Sequence, residues 1–306
     1  MILTVTLNTS IDQALFLDSL KLGDTNRVQK VQIDAGGKGV NLSRVAHAFG
    51  GNTLATGFAG GPTGDFLRGL LDRDGVPHQF VPTAEPTRTN FNIETDDGHP
   101  PTTLNALGPL VSAQEWATFC SLFQEVLPQA DWVCLCGSIP PGLDLTVYQE
   151  LVAMCKDKRV LVDADGDALA LAAKSRPTLL KPNLKEAERL LGQAIQDPVE
   201  AAQSLRELAG AEMVIISLGA QGAVLASSEG VYHGDSPQVI AVSTVGSGDS
   251  MLGAFLARLE GGDPVPTAFQ WGLAAGAATA TTDGTGIGPL SVIELLFDRA
   301  RVKRVG

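Results

Sequence analysis

The sequence predicts an α/β protein: a mostly parallel sheet covered by helices on both faces. Three observations predict it. Strand-length and helix-length segments alternate through the chain, most regularly from residue 112 onward. Many of the 34 glycines stand where an apolar run ends, as strand-to-helix turns require. And 44% of the 306 residues are hydrophobic, enough to bury a large core in one big domain or two small ones.

Residues 2–8 read as a buried strand. Segment 11–33 is more polar and irregular, with short apolar alternations. Gly36-Gly37-Lys38-Gly39 opens a helix to about Phe49, with Leu42, Val45, Ala46 and Phe49 on one face, and Gly50-Gly51 stops it. Segment 53–58 is a strand and 64–74 a helix. Phe80-Val81, 89–94 and 102–105 read as short strands, with Asp96-Asp97-Gly98 as a hairpin turn between the last two. Segments 11–33 and 78–107 thus read as antiparallel excursions that pair into one small sheet. Ser112 with Glu115 fits a capping box for a helix to about Val126. A strand at 132–136, a helix at 145–156 and strands at 160–163 and 179–181 follow, the last ended by Pro182. Asp197 before Pro198 starts another helix. Segment 213–217 is a strand, and 224–226 with 231–232 a strand pair. Two Ala/Gly-rich helices, near 248–259 and 265–283, imply close packing.

The net charge of -12 gives no affinity for a nucleic-acid backbone, though local basic residues can still hold a small phosphorylated ligand. No apolar run reaches the length that spans a bilayer, and the N-terminus lacks a basic leader and a cleavage site. Cys134 and Cys136 alternate on one strand face without further metal ligands at suitable spacing, so with Cys120 and Cys155 they read as free thiols. These features fit a cytoplasmic protein that binds neither nucleic acid nor membrane.

Four segments can carry chemistry. In Ser243-Thr244-Val245-Gly246-Ser247-Gly248-Asp249, a glycine turn opens an apolar helix, whose free N–H groups attract anions. A carboxylate beside them, Asp249, can accept a hydroxyl proton while the amides hold a phosphoryl group. A capped helix explains the segment equally well. Gly36-Gly37-Lys38-Gly39-Val40-Asn41 also precedes a helix, but Gly39 stands where a Walker A loop needs serine or threonine. Alone it is an ordinary glycine turn. Asn183 and Glu186, after Lys181-Pro182, offer oxygens suited to Mg²⁺ or its waters, and equally a capping box. Ser217, Gly219 and Gly222 form a strand, a glycine turn and a strand; the turn can wall a nucleotide pocket or simply close a hairpin.

In this order and spacing the four segments resemble the ribokinase-like carbohydrate kinases of the PfkB family, over essentially the whole chain. Further matches resemble the hexose-phosphate branch: Thr4-Val5-Thr6-Leu7-Asn8 with Asp12, Asn26-Arg27, Thr87-Arg88-Thr89-Asn90, Gly137-Ser138-Ile139-Pro140 and Lys181-Pro182-Asn183. The resemblance implies one three-layer α/β/α domain over 1–306, with a small β-sheet lid from segments about 9–34 and 86–108. It implies MgATP as phosphoryl donor, a ketohexose phosphate as acceptor and a homodimer clasped through the lids. Segment 102–112 further resembles members acting on fructose 1-phosphate; tagatose 6-phosphate and fructose 6-phosphate are the alternative acceptors.

By matched position, Asp249 is the implied general base, and Gly246, Ser247 and Gly248 the anion hole. Asp12, Gly37, Asn41 and Ser138 meet the sugar, and Arg27, Lys38 and Arg88 neutralise its phosphate. Lys181, Asn183, Ser217, Gly219 and Gly222 border ATP, while Asn183 and Glu186 order Mg²⁺ through water. Three cations suit a phosphorylated acceptor; a neutral sugar or nucleoside needs none. A helix N-terminus is expected to lower the Asp249 pKa, which a loose transition state tolerates. Three positions depart from the family pattern: Ser247 replaces the usual alanine, Thr9 the usual proline, and Asp165 a frequent serine. A non-catalytic sugar-phosphate sensor needs no base such as Asp249, and a dehydrogenase needs a dinucleotide fingerprint that the sequence lacks.

Overall fold

The computed structural model describes every residue except Gly98 and Pro100. The strands are β1 (Ile2–Thr6), β2 (Ser10–Leu17), β3 (Lys30–Gly36), β4 (Thr53–Phe58), β5 (His78–Val81), β6 (Arg88–Thr95), β7 (Thr102–Leu104), β8 (Trp132–Gly137), β9 (Arg159–Ala164), β10 (Leu179–Leu180), β11 (Met213–Ser217), β12 (Ala223–Ser227), β13 (Gly230–Asp235) and β14 (Arg301–Arg304). The helices are α1 (Lys38–Ala48), α2 (Gly61–Arg73), α3 (Ala113–Val126), α4 (Val147–Met154), α5 (Gly166–Ala173), α6 (Leu184–Leu191), α7 (Pro198–Ala209), α8 (Ser247–Glu260), α9 (Val265–Ala280) and α10 (Leu290–Phe297).

The large sheet runs β14-β13-β12-β11-β10-β9-β8-β1-β4-β5. Every pairing from β5 to β11 is parallel; β12, β13 and β14 extend it antiparallel. Its central strands are buried along their whole length, as strands covered on both faces must be. One face packs on α3, α4, α5 and α7 through Phe119, Tyr148, Leu169 and Leu205. The other packs on α1, α8 and α9 through Leu42, Phe255 and Phe269. This is a three-layer α/β/α fold. Among the described residues no helix is long and apolar enough to cross a membrane, and the four cysteines are free.

The second sheet runs β3-β2-β6-β7. Two expectations change here. Phe80-Val81 lies in β5, which pairs parallel with β4 at the edge of the large sheet rather than joining the small one. And β2 pairs parallel with β6, so the small sheet is mixed. The chain leaves β3, crosses the large sheet and returns, so β6 enters in the direction of β2. Gly98 of the expected hairpin turn lies outside the described residues. α5, α10 and β14 are additions to the elements read from sequence.

Paired residues share a sheet face. One face of the small sheet therefore carries Val31, Leu15 and Ile93, with Ile33, Phe91 and Leu104 beside them. The other carries Asp12, Asp34 and Asn90, then Gln32, Asn92 and Thr103. The polar face turns toward the main body: Gln32 Nε2 donates to the Asp283 carbonyl at 2.9 Å, and Lys30 pairs with the Asp283 carboxylate at 2.5 Å.

Candidate active site

Parallel strands deliver their carboxyl ends to one edge, where helix N-termini also gather. Asp163 lies at the end of β9, Lys181 follows β10 and Ser217 ends β11. α1, α6 and α8 start at the same edge. A cavity of about 510 Å³ opens there, lined by Lys38, Asp163, Lys181, Asn183, Gly248 and Asp249. Ser217, Gly219, Gly222 and Ser247 continue its wall, and Gly276, Ala277 and Ala280 of α9 give it an apolar side. Those small residues signalled close packing in the sequence; their alignment along the cavity was not read from it.

The α8 start depends on glycine. Gly246 sits at φ 78°, where a side chain is strained, and caps the helix without a side-chain bond. The first intrahelical bond runs from the Ser250 amide to the Gly246 carbonyl at 2.8 Å, so the Gly248 and Asp249 amides precede it. The Ser247 amide turns instead to the Thr244 carbonyl at 3.4 Å. Gly248 has no side chain between it and Lys181: a Cβ there would lie 3.5 Å from the ammonium.

Asp249 is buried, and Asn41 Nδ2 donates to its Oδ2 at 2.9 Å. Gly37 makes this reach possible. It holds φ 111° at the start of α1, and a Cβ on it would meet Thr6 Cγ2 at 2.6 Å. Burial, and next the Asp163 carboxylate, push the Asp249 pKa up to about 6, against Lys38, Asn41 and Lys181. The expected lowering by the helix N-terminus is therefore overturned, because desolvation is the larger effect. A carboxyl with such a pKa has the chemistry of a base near neutral pH.

Asp163 is the residue the motifs missed. It is 1% exposed and receives Lys38 Nζ at 3.1 Å and Lys181 Nζ at 3.3 Å. Burial alone would raise its pKa; Lys181 and Lys38 outweigh this and hold it ionised. Lys38 also pairs with Asp165 at 2.6 Å. Burial would lower the Lys38 pKa, but Asp163, Asp165 and Asp249 raise it, so the ammonium stays charged. An acidic residue closing the apolar run Val160-Leu161-Val162 was the available signal.

The small sheet faces this edge with a second cluster. Asp12 Oδ1 accepts from Ser10 Oγ at 2.7 Å and Asn90 Nδ2 at 3.0 Å, with Gly36 packed against the carboxylate. Burial raises the Asp12 pKa, opposed by these two bonds and by Arg88. Arg88 donates to the Ala106 carbonyl at 2.7 Å and the Asn8 carbonyl at 3.0 Å, leaving its Nε buried and unpartnered among the described residues. Asn8 Nδ2 donates to Ser138 Oγ at 3.1 Å, bringing Ser138 beside Arg88. Of the three cations grouped by the resemblance, Lys38 and Arg88 have the Asp165 carboxylate as a common neighbour, and Arg27 stands apart. Lys38 stands at the cavity with Asp163, and Arg88 at the seam of the two sheets. Arg27 is exposed in the loop between β2 and β3 and bonds to none of the described residues.

Asn183 and Glu186 form the reciprocal capping box of α6: Glu186 N donates to Asn183 Oδ1 at 3.0 Å, and Asn183 N to Glu186 Oε2 at 2.8 Å. Glu186 Oε1 remains for a water. Among the described residues no group of three or more His, Cys, Asp or Glu can cage a metal. The oxygens of Asn183 and Glu186 suit an ion held mostly by phosphates and water, the habit of Mg²⁺.

The profile of the pfkB family carbohydrate kinases matches residues 5–292. The chain is 34% identical to the 1-phosphofructokinase of Bacillus subtilis over 309 aligned residues, covering 100% of both proteins. Phosphofructokinase-2 from Escherichia coli, solved with substrates and products, superposes with a TM-score of 0.91 at 29% identity, over 97% of this chain and 98% of that one. Ribokinase from Thermotoga maritima shares the fold, with a TM-score of 0.78 at 22% identity, over 97% and 99% of the two chains.

Proposed function

From its membership of the pfkB family of carbohydrate kinases, to which this chain belongs, we propose that the protein phosphorylates fructose 1-phosphate to fructose 1,6-bisphosphate with MgATP. The observation that carries the reading is Asp249, a buried carboxylate with its pKa near 6 beside a helix N-terminus. A protein that only bound a sugar phosphate would have no use for a base tuned in that way.

Asp249 takes the proton of the attacking hydroxyl, and the bond from Asn41 fixes its carboxylate for this. The amides at the start of α8 hold the phosphoryl oxygens, and Lys38 and Lys181 offset the charge that builds on them. Asn183 and Glu186 would hold Mg²⁺ through its waters, and the ion would supply positive charge against the phosphates. Asp12 orients the sugar hydroxyls, with Gly37 backbone and Ser138 alongside. Arg88 meets the phosphate already on the sugar. Ser217, Gly219 and Gly222 border the nucleotide. Such a kinase works where MgATP is supplied, in the cytoplasm.

The small sheet supports a homodimer clasped through the lids. Its outer face leaves Val31 49%, Phe91 37% and Leu104 53% exposed on neighbouring strands, an apolar area that a second copy would cover. Arg27 stands in a loop of the same sheet. For comparison, phosphofructokinase-2 from Escherichia coli has an inhibited tetrameric form.

ADP release from MgATP tests the reading against fructose 1-phosphate, fructose 6-phosphate, tagatose 6-phosphate, fructose and a nucleoside. We expect strong preference for fructose 1-phosphate. Preference for another phosphorylated ketohexose corrects the substrate alone; turnover only on fructose or the nucleoside removes the sugar-phosphate reading. Silence across the panel returns the protein to a sensor.

A further inference from the structure

Asp165 occupies the N-cap of α5, yet its side chain makes no bond to that helix. A capping aspartate normally accepts from the amides two or three residues on. Here the carboxylate turns away and takes the Lys38 ammonium at 2.6 Å, from 127 residues distant in sequence. Lys38 already has a buried partner in Asp163. The second partner differs in kind: the Asp165 side chain is 49% exposed, so it can release the ammonium into water cheaply. Asp163, 1% exposed between two lysines, cannot. Lys38 thus stands at the cavity wall with one permanent and one exchangeable anion. Asp165 also lies within electrostatic reach of Arg88 at the seam of the two sheets: burial lowers the Arg88 pKa, while Asp12 and Asp165 raise it.

We infer that the Asp165 carboxylate is a placeholder for a phosphate group. It keeps Lys38 charged and placed while the site is open, and an arriving phosphate must displace it. Asp165 is then a positioning residue acting through Lys38, and it weakens phosphate binding rather than strengthening it. A loosely held phosphate suits a kinase, whose product carries one phosphate more than its acceptor and must still leave. The identity of the phosphate ligands rests on the kinase reading above. Two sources present the same chemistry at Lys38, the terminal phosphate of MgATP and the phosphate of the sugar.

Calorimetric titration of the full chain and of Asp165→Asn separates them, with fructose 1-phosphate, with a non-hydrolysable MgATP analogue, and with fructose as the uncharged control. The variant keeps shape and removes charge. We expect the Kd of one phosphate ligand to fall about fivefold, equivalent to about 1 kcal/mol, as for release of a half-exposed ion pair. The ligand that tightens identifies the phosphate, and fructose stays unchanged. In a Lys38→Gln background the same substitution is expected to lose most of its effect, what remains being the longer-range pull of Asp165 on Arg88. Weaker binding of both phosphate ligands to Asp165→Asn would show a brace for Lys38 and overturn the proposal. So would unchanged binding, or a gain of undiminished size in Lys38→Gln. Failure of the kinase reading looks different: the ligands bind the unaltered protein, Asp165→Asn shifts one of them, and no ADP is released.

Discussion

The transfer edge and the small sheet treat polarity in opposite ways. At the transfer edge, charges are buried and compensated within the chain: Asp163 between two lysines, Asp249 on Asn41. The small sheet keeps its polar residues inward and turns Val31, Phe91 and Leu104 outward. The first is built on the ends of core strands, where desolvation tunes a base and fixed amides receive charge. The second leans on the body through polar bonds: Lys30 and Gln32 on Asp283, and Arg44 of α1 on Asp34. On the proposed function, one region serves chemistry in a fixed geometry, and the other holds substrate and meets a second copy.

The largest effect should fall on the transfer edge. Asp249→Asn keeps the bond from Asn41 but removes the base, and turnover should drop about 10²–10⁴-fold, with KM for both substrates nearly unchanged. Steady-state kinetics measures both. A variant within tenfold of the original would take Asp249 out of its role.

Next comes the seam. Arg88→Ala removes a guanidinium that holds the Ala106 and Asn8 carbonyls and that we assign to the sugar's phosphate. The KM for the sugar phosphate should rise about 10- to 100-fold, the worth of a charged hydrogen bond, while the KM for MgATP moves little. Equal loss for both substrates would mean that the two regions are not the separate binding surfaces described here.

Sequence made these two regions legible to different degrees. Gly246 and Gly248 could be read because a tight helix start demands glycine locally. The capping boxes at Ser112 and Asn183 were legible for the same reason: three residues suffice. The pKa of Asp249 was misread, because the helix N-terminus is visible in sequence and burial beside Asp163 is not. The partner of Asp165 is a tertiary fact that no local pattern announces. In the small sheet, alternation identified strands but not neighbours. It placed Phe80-Val81 with the wrong sheet, since pairing depends on where the chain crosses. Of the three cations implied by the resemblance, Lys38 lines the cavity, Arg88 lies at the seam and Arg27, the weakest match, stands in an exposed loop, a placement set by tertiary structure.

The pH dependence sharpens the contrast further. With the Asp249 pKa near 6, kcat/KM should fall about tenfold per pH unit well below 6 and stay flat above 7. A profile falling only below pH 4 would mean that the carboxylate is not desolvated as described. On the other side of the comparison, the unaltered chain is expected to sediment as a dimer in analytical ultracentrifugation, and Phe91→Asp with Leu104→Asp as a monomer. The unaltered protein sedimenting as a monomer would end the lid-dimer proposal.

The smallest effect concerns stability. Asp249 has a folded pKa near 6 against an ordinary value of 3.8. A raised carboxyl pKa favours folding below the ordinary value, and that contribution is lost as pH rises through the folded value. At pH 7.5 the ionised, buried Asp249 therefore weighs against the fold. Lys38 keeps Asp163 and Asp165 when Asp249 is neutralised, so its charge is not orphaned. Asp249→Asn should accordingly raise Tm at pH 7.5, by about 2–4 °C for each kcal/mol relieved, and the gain should shrink toward pH 5. Calorimetry at the two pH values reads the difference directly. A gain of Tm alongside lost turnover would show the transfer edge holding a strained charge for chemistry. A loss of Tm at both pH values would show that Asp249 supports the fold through Asn41, and would leave the transfer edge no less relaxed than the small sheet.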